Sequence, residues 1–161
     1  MQITWDLVVL AALAVGTIYG AFLGRNKIMG ILVYFYLGLA VAESCGAIAY
    51  GWVANFGLVS ARLVTSEFGV KALIFLAVAL VLMFRSEISG LDSDGSLSKI
   101  EAGVLGFLAA GFALASIFTF MTPFELQSIQ SNFALIIYNF RAAIIILPVL
   151  AMVGLTFIRR R

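Results

Sequence analysis

The chain has 161 residues, of which 63% are hydrophobic and 11% charged, with a mean hydropathy of +1.14. Soluble domains carry about a quarter of their residues as charges, so this composition fits one membrane domain over residues 1–161 and excludes a water-soluble globule. The net charge of +2 comes mostly from Arg159, Arg160 and Arg161, which leaves no broad basic face for nucleic acid.

Residues 1–6 contain no Lys or Arg, whereas a secretory signal opens on a basic segment, so the first apolar run is expected to be retained. That run, residues 7–24, is uncharged over 18 positions and predicts the first membrane span, with Trp5 as an interfacial anchor. Arg25, Asn26 and Lys27 make a short turn. Residues 28–54 form the second predicted span, 27 residues with one charge, crossing with tilt and ending near Trp52. The two helices are expected to form an antiparallel hairpin. In residues 55–67 apolar side chains recur among charged ones, the pattern of an amphipathic helix at the membrane surface or of the lead-in to the third span.

The third predicted span, residues 68–86, relies on Lys71 snorkelling outward, because its uncharged stretch is only 13 residues long. About 20 helical residues are needed to cross roughly 30 Å of hydrocarbon. Residues 85–101 form a polar cytoplasmic loop with strong turn chemistry around Asp92 and Asp94. A calcium loop beginning at Asp92 would need further ligands where Ser96 and Gly103 stand, so a solvated turn is favoured. Ser98 and Glu101 have capping-box spacing and open the fourth span, residues 102–121. Thr122 and Pro123 then break the helix, and residues 124–132 are expected to run along the interface. The fifth span, residues 133–158, would reach about 39 Å as one straight helix, so it must tilt or bend, with Pro148 as the expected bend. The expected fold class is therefore all-α, a polytopic transmembrane bundle of five spans.

Counting Lys and Arg in the connecting segments gives the orientation. Five spans place Arg25, Lys27, Arg85, Lys99 and the three terminal arginines on one side, with Arg62 and Lys71 on the other. The first side is expected to be cytoplasmic, which puts the N-terminus outside and the C-terminus inside.

Three rows of small residues at four-residue spacing are the helix-packing candidates: Gly16, Gly20 and Gly24; Gly38, Ala42 and Gly46; Ala102, Gly106 and Ala110. Such rows let helix backbones approach closely in lipid. Packing within the chain is the simpler use, and three rows in so small a protein also suggest a homo-oligomer. Glu43 and Arg141 are the two charges inside the long apolar runs. A charge at such depth needs a partner or water, and both fall at comparable depth in the outer half. They are accordingly a candidate intramembrane pair, structural in the first instance, with an ion path or a headgroup site as the functional alternative. Asn139, Tyr138, Ser44 and Tyr50 are available to support them.

Histidine is absent and Cys45 is the single cysteine. The usual general base, the commonest metal ligand and any disulfide within the chain are thereby removed. No nucleotide-binding glycine loop is present, and a secondary transporter generally has related repeats and more spans. No metal, cofactor or catalytic residue is expected. The expected partners are membrane lipid and either further copies of the chain or other membrane subunits.

Trp5-Asp6 ahead of the first span, Gly20 and Gly24 at its end, Ala40 to Ala42 in the second, Phe75 in the third, and Gly103, Gly106 and Gly111 in the fourth make a pattern over residues 5–121. In these features the chain resembles the colicin V production family of bacterial inner-membrane proteins. It departs from that family at Ala21, Phe22 and Leu23, where members often carry basic residues, and in having a fifth span beyond the usual four. The resemblance implies a non-enzymatic inner-membrane protein tied to bacteriocin production or export and to envelope physiology.

Overall fold

A computed structural model describes residues 5–55, 66–85, 96–122 and 132–158, and every regular element in them is helical. In chain order these are α1 (Trp5–Leu23), α2 (Arg25–Asn55), α3 (Glu67–Arg85), α4 (Ser96–Phe120), α5 (Asn132–Asn139) and α6 (Arg141–Ile158). Four of them, α1 to α4, are long and apolar enough to cross a membrane. The pair α5 and α6, bent by 67° at the break between them, adds a fifth if it is counted as one span. The expected interfacial helix over 55–67 and the loop over 85–101 fall largely outside the described residues, as does nearly all of 124–132.

The centre of the bundle is α4, where 61% of the apolar window is buried, against 11% in α1. Helix α1 packs along α4, α2 packs along α3, and α4 also contacts α2 and α6. The expected hairpin of the first two helices is thus replaced by separate partnerships. The reason lies at Gly24, the single residue between α1 and α2, which has φ of +81°. A left-handed φ ends α1 there, yet the Gly24 amide still bonds the Gly20 carbonyl at 3.2 Å and the Gly24 carbonyl still accepts from Ile28 at 3.2 Å. Gly24 therefore redirects the chain with little loss of backbone bonding. A Cβ on Gly24 would meet nothing within 4 Å, so this residue is a corner and not a packing contact.

The remaining small residues do pack, and they pack within the chain. A Cβ on Gly20 would lie 2.6 Å from the Cα of Gly106 and 2.5 Å from the carbonyl oxygen of Ala102, and Gly16 abuts both Gly106 and Ala110. The first and third rows are the two sides of one seam between α1 and α4. Across α2 and α3, Gly38 would bring a Cβ to 3.0 Å from the Phe75 carbonyl, Ala42 is fully buried, and Gly46 lies under the Lys71 stem. The second row thereby serves α3.

Three apolar clusters fill the interior. Val9, Ala115, Phe118, Ala134 and Ile137 join α1, α4 and α5 at one end. Ile28, Ile31, Leu32, Leu105 and Ala109 join α2 and α4 at the other. A third cluster, Ala42, Phe75, Phe112 and Phe120, joins α2, α3 and α4, with Phe35 and Tyr36 packed against it. Its rings stand in contact, with Phe35 5.7 Å from Phe75 and Tyr36 4.4 Å from Phe112 between centroids, spacings at which aromatic pairs attract. Outward positions are apolar as well: Val15, Phe22, Leu80, Val81, Phe84 and Leu150 are largely exposed. In water so much exposed apolar surface would drive association; hydrocarbon solvates it.

Two sequence expectations about helix ends are corrected. Helix α4 begins at Ser96, two residues before Ser98, and the Glu101 carboxylate accepts from Arg25 at 3.2 Å. Ser98 is inside the helix, so the capping box does not form. The bend expected at Pro148 occurs instead at Phe140, and Pro148 is buried within α6.

Candidate functional site

Charged side chains among the described residues gather toward the two ends of the bundle. Arg25, Lys27, Arg85, Lys99 and Glu101 lie toward the Gly24 end, four bases with one acid. Asp6, Glu43, Glu67, Lys71 and Arg141 lie toward the opposite end, three acids with two bases. Between these groups lie the packed rings of Phe35, Phe75 and Phe112. Ser116, the buried polar side chain of the interior, donates to its own helix at the Phe112 carbonyl (2.9 Å), as Thr17 does to Leu13 and Thr119 to Ala115 at 2.8 Å each. Hydroxyls bonded one turn back are satisfied without any interhelical path.

Glu43 and Arg141 do not form the expected pair. The Glu43 carboxylate faces Lys71 of α3 at 3.8 Å, and Lys71 also holds Glu67 at 2.9 Å one turn earlier on its own helix. Lys71 is largely buried while both carboxylates stay about half exposed. Its stem crosses Gly46, with Cε 3.2 Å and Cδ 3.3 Å from where a Cβ would stand. The absence of a side chain at Gly46 is therefore what lets the ammonium reach Glu43. Lys71 snorkels as the sequence suggests, but along α2 and toward its carboxylates.

Arg141 begins α6, directly after the break. Its guanidinium lies 4.1 Å from the centre of the Tyr138 ring and donates to the Tyr138 carbonyl at 3.3 Å. The last carbonyls of a helix lack partners within it and carry partial negative charge, so Arg141 caps α5 while stacking on its aromatic ring. Tyr138, one of the supporting residues the sequence suggests, thus becomes the direct partner. Across the same end, the Phe133 amide donates to the Asp6 carboxylate at 3.3 Å, tying the start of α5 to the start of α1.

Tyr36 is the residue that sequence reasoning missed. Its hydroxyl donates to the Ile145 carbonyl and accepts from the Val149 backbone. That carbonyl and that amide stand one helical turn apart, at the spacing of a ladder bond. The hydroxyl sits between them one residue from Pro148, whose missing N–H already weakens the local ladder. The available signal was a tyrosine within an apolar run, together with a proline in a later helix, although Tyr34 and Tyr50 share that run.

A groove on the outer face of the α1–α4 seam, about 550 Å³ in volume, is lined by Thr17, Ala21, Ile100, Gly103, Val104 and Phe107, with Lys99 at its rim. Cys45 is exposed on α2 with a free thiol. No cluster of three or more acidic, cysteine or histidine residues suited to a metal occurs among the described residues.

The fold and these charges define an all-helical protein with four helices able to cross a membrane, or five with the bent pair counted as one. Comparison with protein-family models, curated proteins and solved structures finds no match.

Proposed function

We propose that this chain is a non-enzymatic scaffold subunit of the bacterial inner membrane, similar in its span pattern to the colicin V production family and linked, like it, to bacteriocin production or export or to envelope physiology. The reading rests on one observation above others: charges gather toward both ends, while the packed rings of Phe35, Phe75 and Phe112 lie between them. A side-chain layer of that kind offers an ion no groups to replace its water, so holding partners in place is favoured over conduction by a single chain.

In this reading α1 to α4 and α6 cross the bilayer, and α5 lies along the outer surface over the ends of α1 and α4. Arg141 then starts a span at the interface instead of standing eight residues inside one. The basic Gly24 end faces the cytoplasm, in keeping with the excess of Lys and Arg there. The N-terminus is outside and the C-terminus inside. The small-residue rows are occupied within the chain, so assembly with copies or other subunits would use lipid-facing surfaces instead.

Reconstitution of the purified chain into vesicles tests the scaffold reading. Ion flux should not exceed that of empty vesicles, and native mass measurement in mild detergent should show the chain bound to copies of itself or to another membrane subunit. Flux rising in proportion to protein content, or a monomer under every mild condition, would contradict it.

A further inference from the structure

We infer that the α1–α4 groove is a binding site for an anionic phospholipid, with the lipid phosphate on Lys99 and an acyl chain along Ile100, Val104 and Phe107. This goes beyond the scaffold reading and requires only that the helices stand in a bilayer.

The groove exists because the seam is built from small residues. Gly16, Gly20 and Gly106 draw α1 and α4 together, and at Gly103 the surface is recessed: a Cβ there would first meet Ala21 and Thr17, at 3.8 Å. The flanking Ile100, Val104 and Phe107 are exposed and stand as the outer wall. The volume of about 550 Å³ is in the range of ligand sites, roughly 300–1,000 Å³. Thr17 uses its hydroxyl proton on Leu13, so the floor presents little besides hydrocarbon.

Charge sets the occupant. Lys99 is exposed, lies in the first turn of α4 and makes no ion pair among the described residues. The neighbouring acid, Glu101, is held by Arg25 at 3.2 Å, and no carboxylate among the described residues lines the groove. The N-terminal end of α4 adds its positive partial charge beside the ammonium. From Lys99 to Phe107 the helix rises about 12 Å, so a phosphate at Lys99 sends its acyl chain down the apolar wall toward the bilayer centre. A cation above an apolar slot matches one phosphate and one chain of the same lipid.

The test uses the full chain with Val104→Trp as reporter and Trp5→Phe and Trp52→Phe to remove the other indoles. Vesicles contain phosphatidylglycerol and phosphatidylcholine in equal amounts, with brominated acyl chains on one or the other to quench the reporter. Brominated phosphatidylglycerol should be preferred about fivefold, the ratio expected for one lysine near an anionic headgroup. K99Q should abolish the preference, K99R should keep it, and K27Q, which changes a lysine that does not line the groove, should leave it intact. Added inorganic phosphate should not displace the lipid, because the acyl chain supplies much of the contact. Equal quenching by the two lipids, equal loss in K99Q and K27Q, or displacement by phosphate alone would overturn the site, whatever the scaffold experiments find.

Discussion

Gly20 and Gly106 meet backbone to backbone, with the Cα of Gly106 2.6 Å from where a Gly20 Cβ would stand. The contact turns two sequence rows on separate helices into one seam, and the seam places α1 on the central helix. It also accounts for the recess at Gly103, a shallow, open groove along the outer face of the seam.

Glycines in the two helices should therefore differ sharply in tolerance. Gly106→Val and Gly20→Val put side chains into opposing backbone, which cannot yield as a side-chain tip would, so each should cost at least about 1–3 kcal/mol, the range for overpacking. Gly103→Ala meets only ordinary contacts at 3.8 Å and should be nearly neutral. Thermal unfolding in detergent ranks the three; equal melting temperatures would show that the seam is not formed.

At the opposite end, Lys71 joins two acids, so the variants should rank by what remains paired. Glu43→Gln leaves Lys71 on Glu67 at 2.9 Å and should lower stability by less than about 1 kcal/mol. Lys71→Glu gathers three carboxylates and should sharply reduce accumulation in the membrane. Glu43→Arg combined with Arg141→Glu should be no better than the worse single variant. Mutual rescue in that double variant, read by membrane abundance, would restore the pairing that the structure replaces with Lys71.

Tyr36→Phe removes the hydroxyl between the Ile145 carbonyl and the Val149 amide and should cost about 0.6–1.7 kcal/mol, the scale of interhelical bonds in membrane proteins. Pro148→Ala should make α6 more regular and let that carbonyl and amide approach one another. The cost of Tyr36→Phe should consequently shrink in the Pro148→Ala background. A double-mutant cycle on unfolding free energy reads the coupling, and strict additivity would mean that Tyr36 and Pro148 act independently.

The parts of this fold legible in the sequence are those set by local pattern. Uncharged runs located the helices, and four-residue spacing located five of the six seam residues in α1 and α4. The corner at Gly24 is not legible in the row, because spacing reports which face a residue occupies, whereas a φ of +81° is a property of the chain path. The partner of Glu43 depended on the register between α2 and α3, which no single run encodes. Register brought Lys71 over Gly46, and Arg141 went to Tyr138 instead. The bend was sought at Pro148 because proline weakens a helix, but Tyr36 fills the weakened place and the chain turns at Phe140, where Arg141 caps the helix just ended.

The placement of α5 outside the membrane, with the charge-bearing ends at opposite faces, is tested most directly by thiol labelling in intact cells. Cys45→Ser removes the native thiol, and single cysteines then replace Asn139 and Lys99. An impermeant maleimide should label position 139 from outside and position 99 only after the membrane is opened. Protection of position 139 under both conditions would put the break inside the bilayer, and labelling of both positions from the same side would contradict the account.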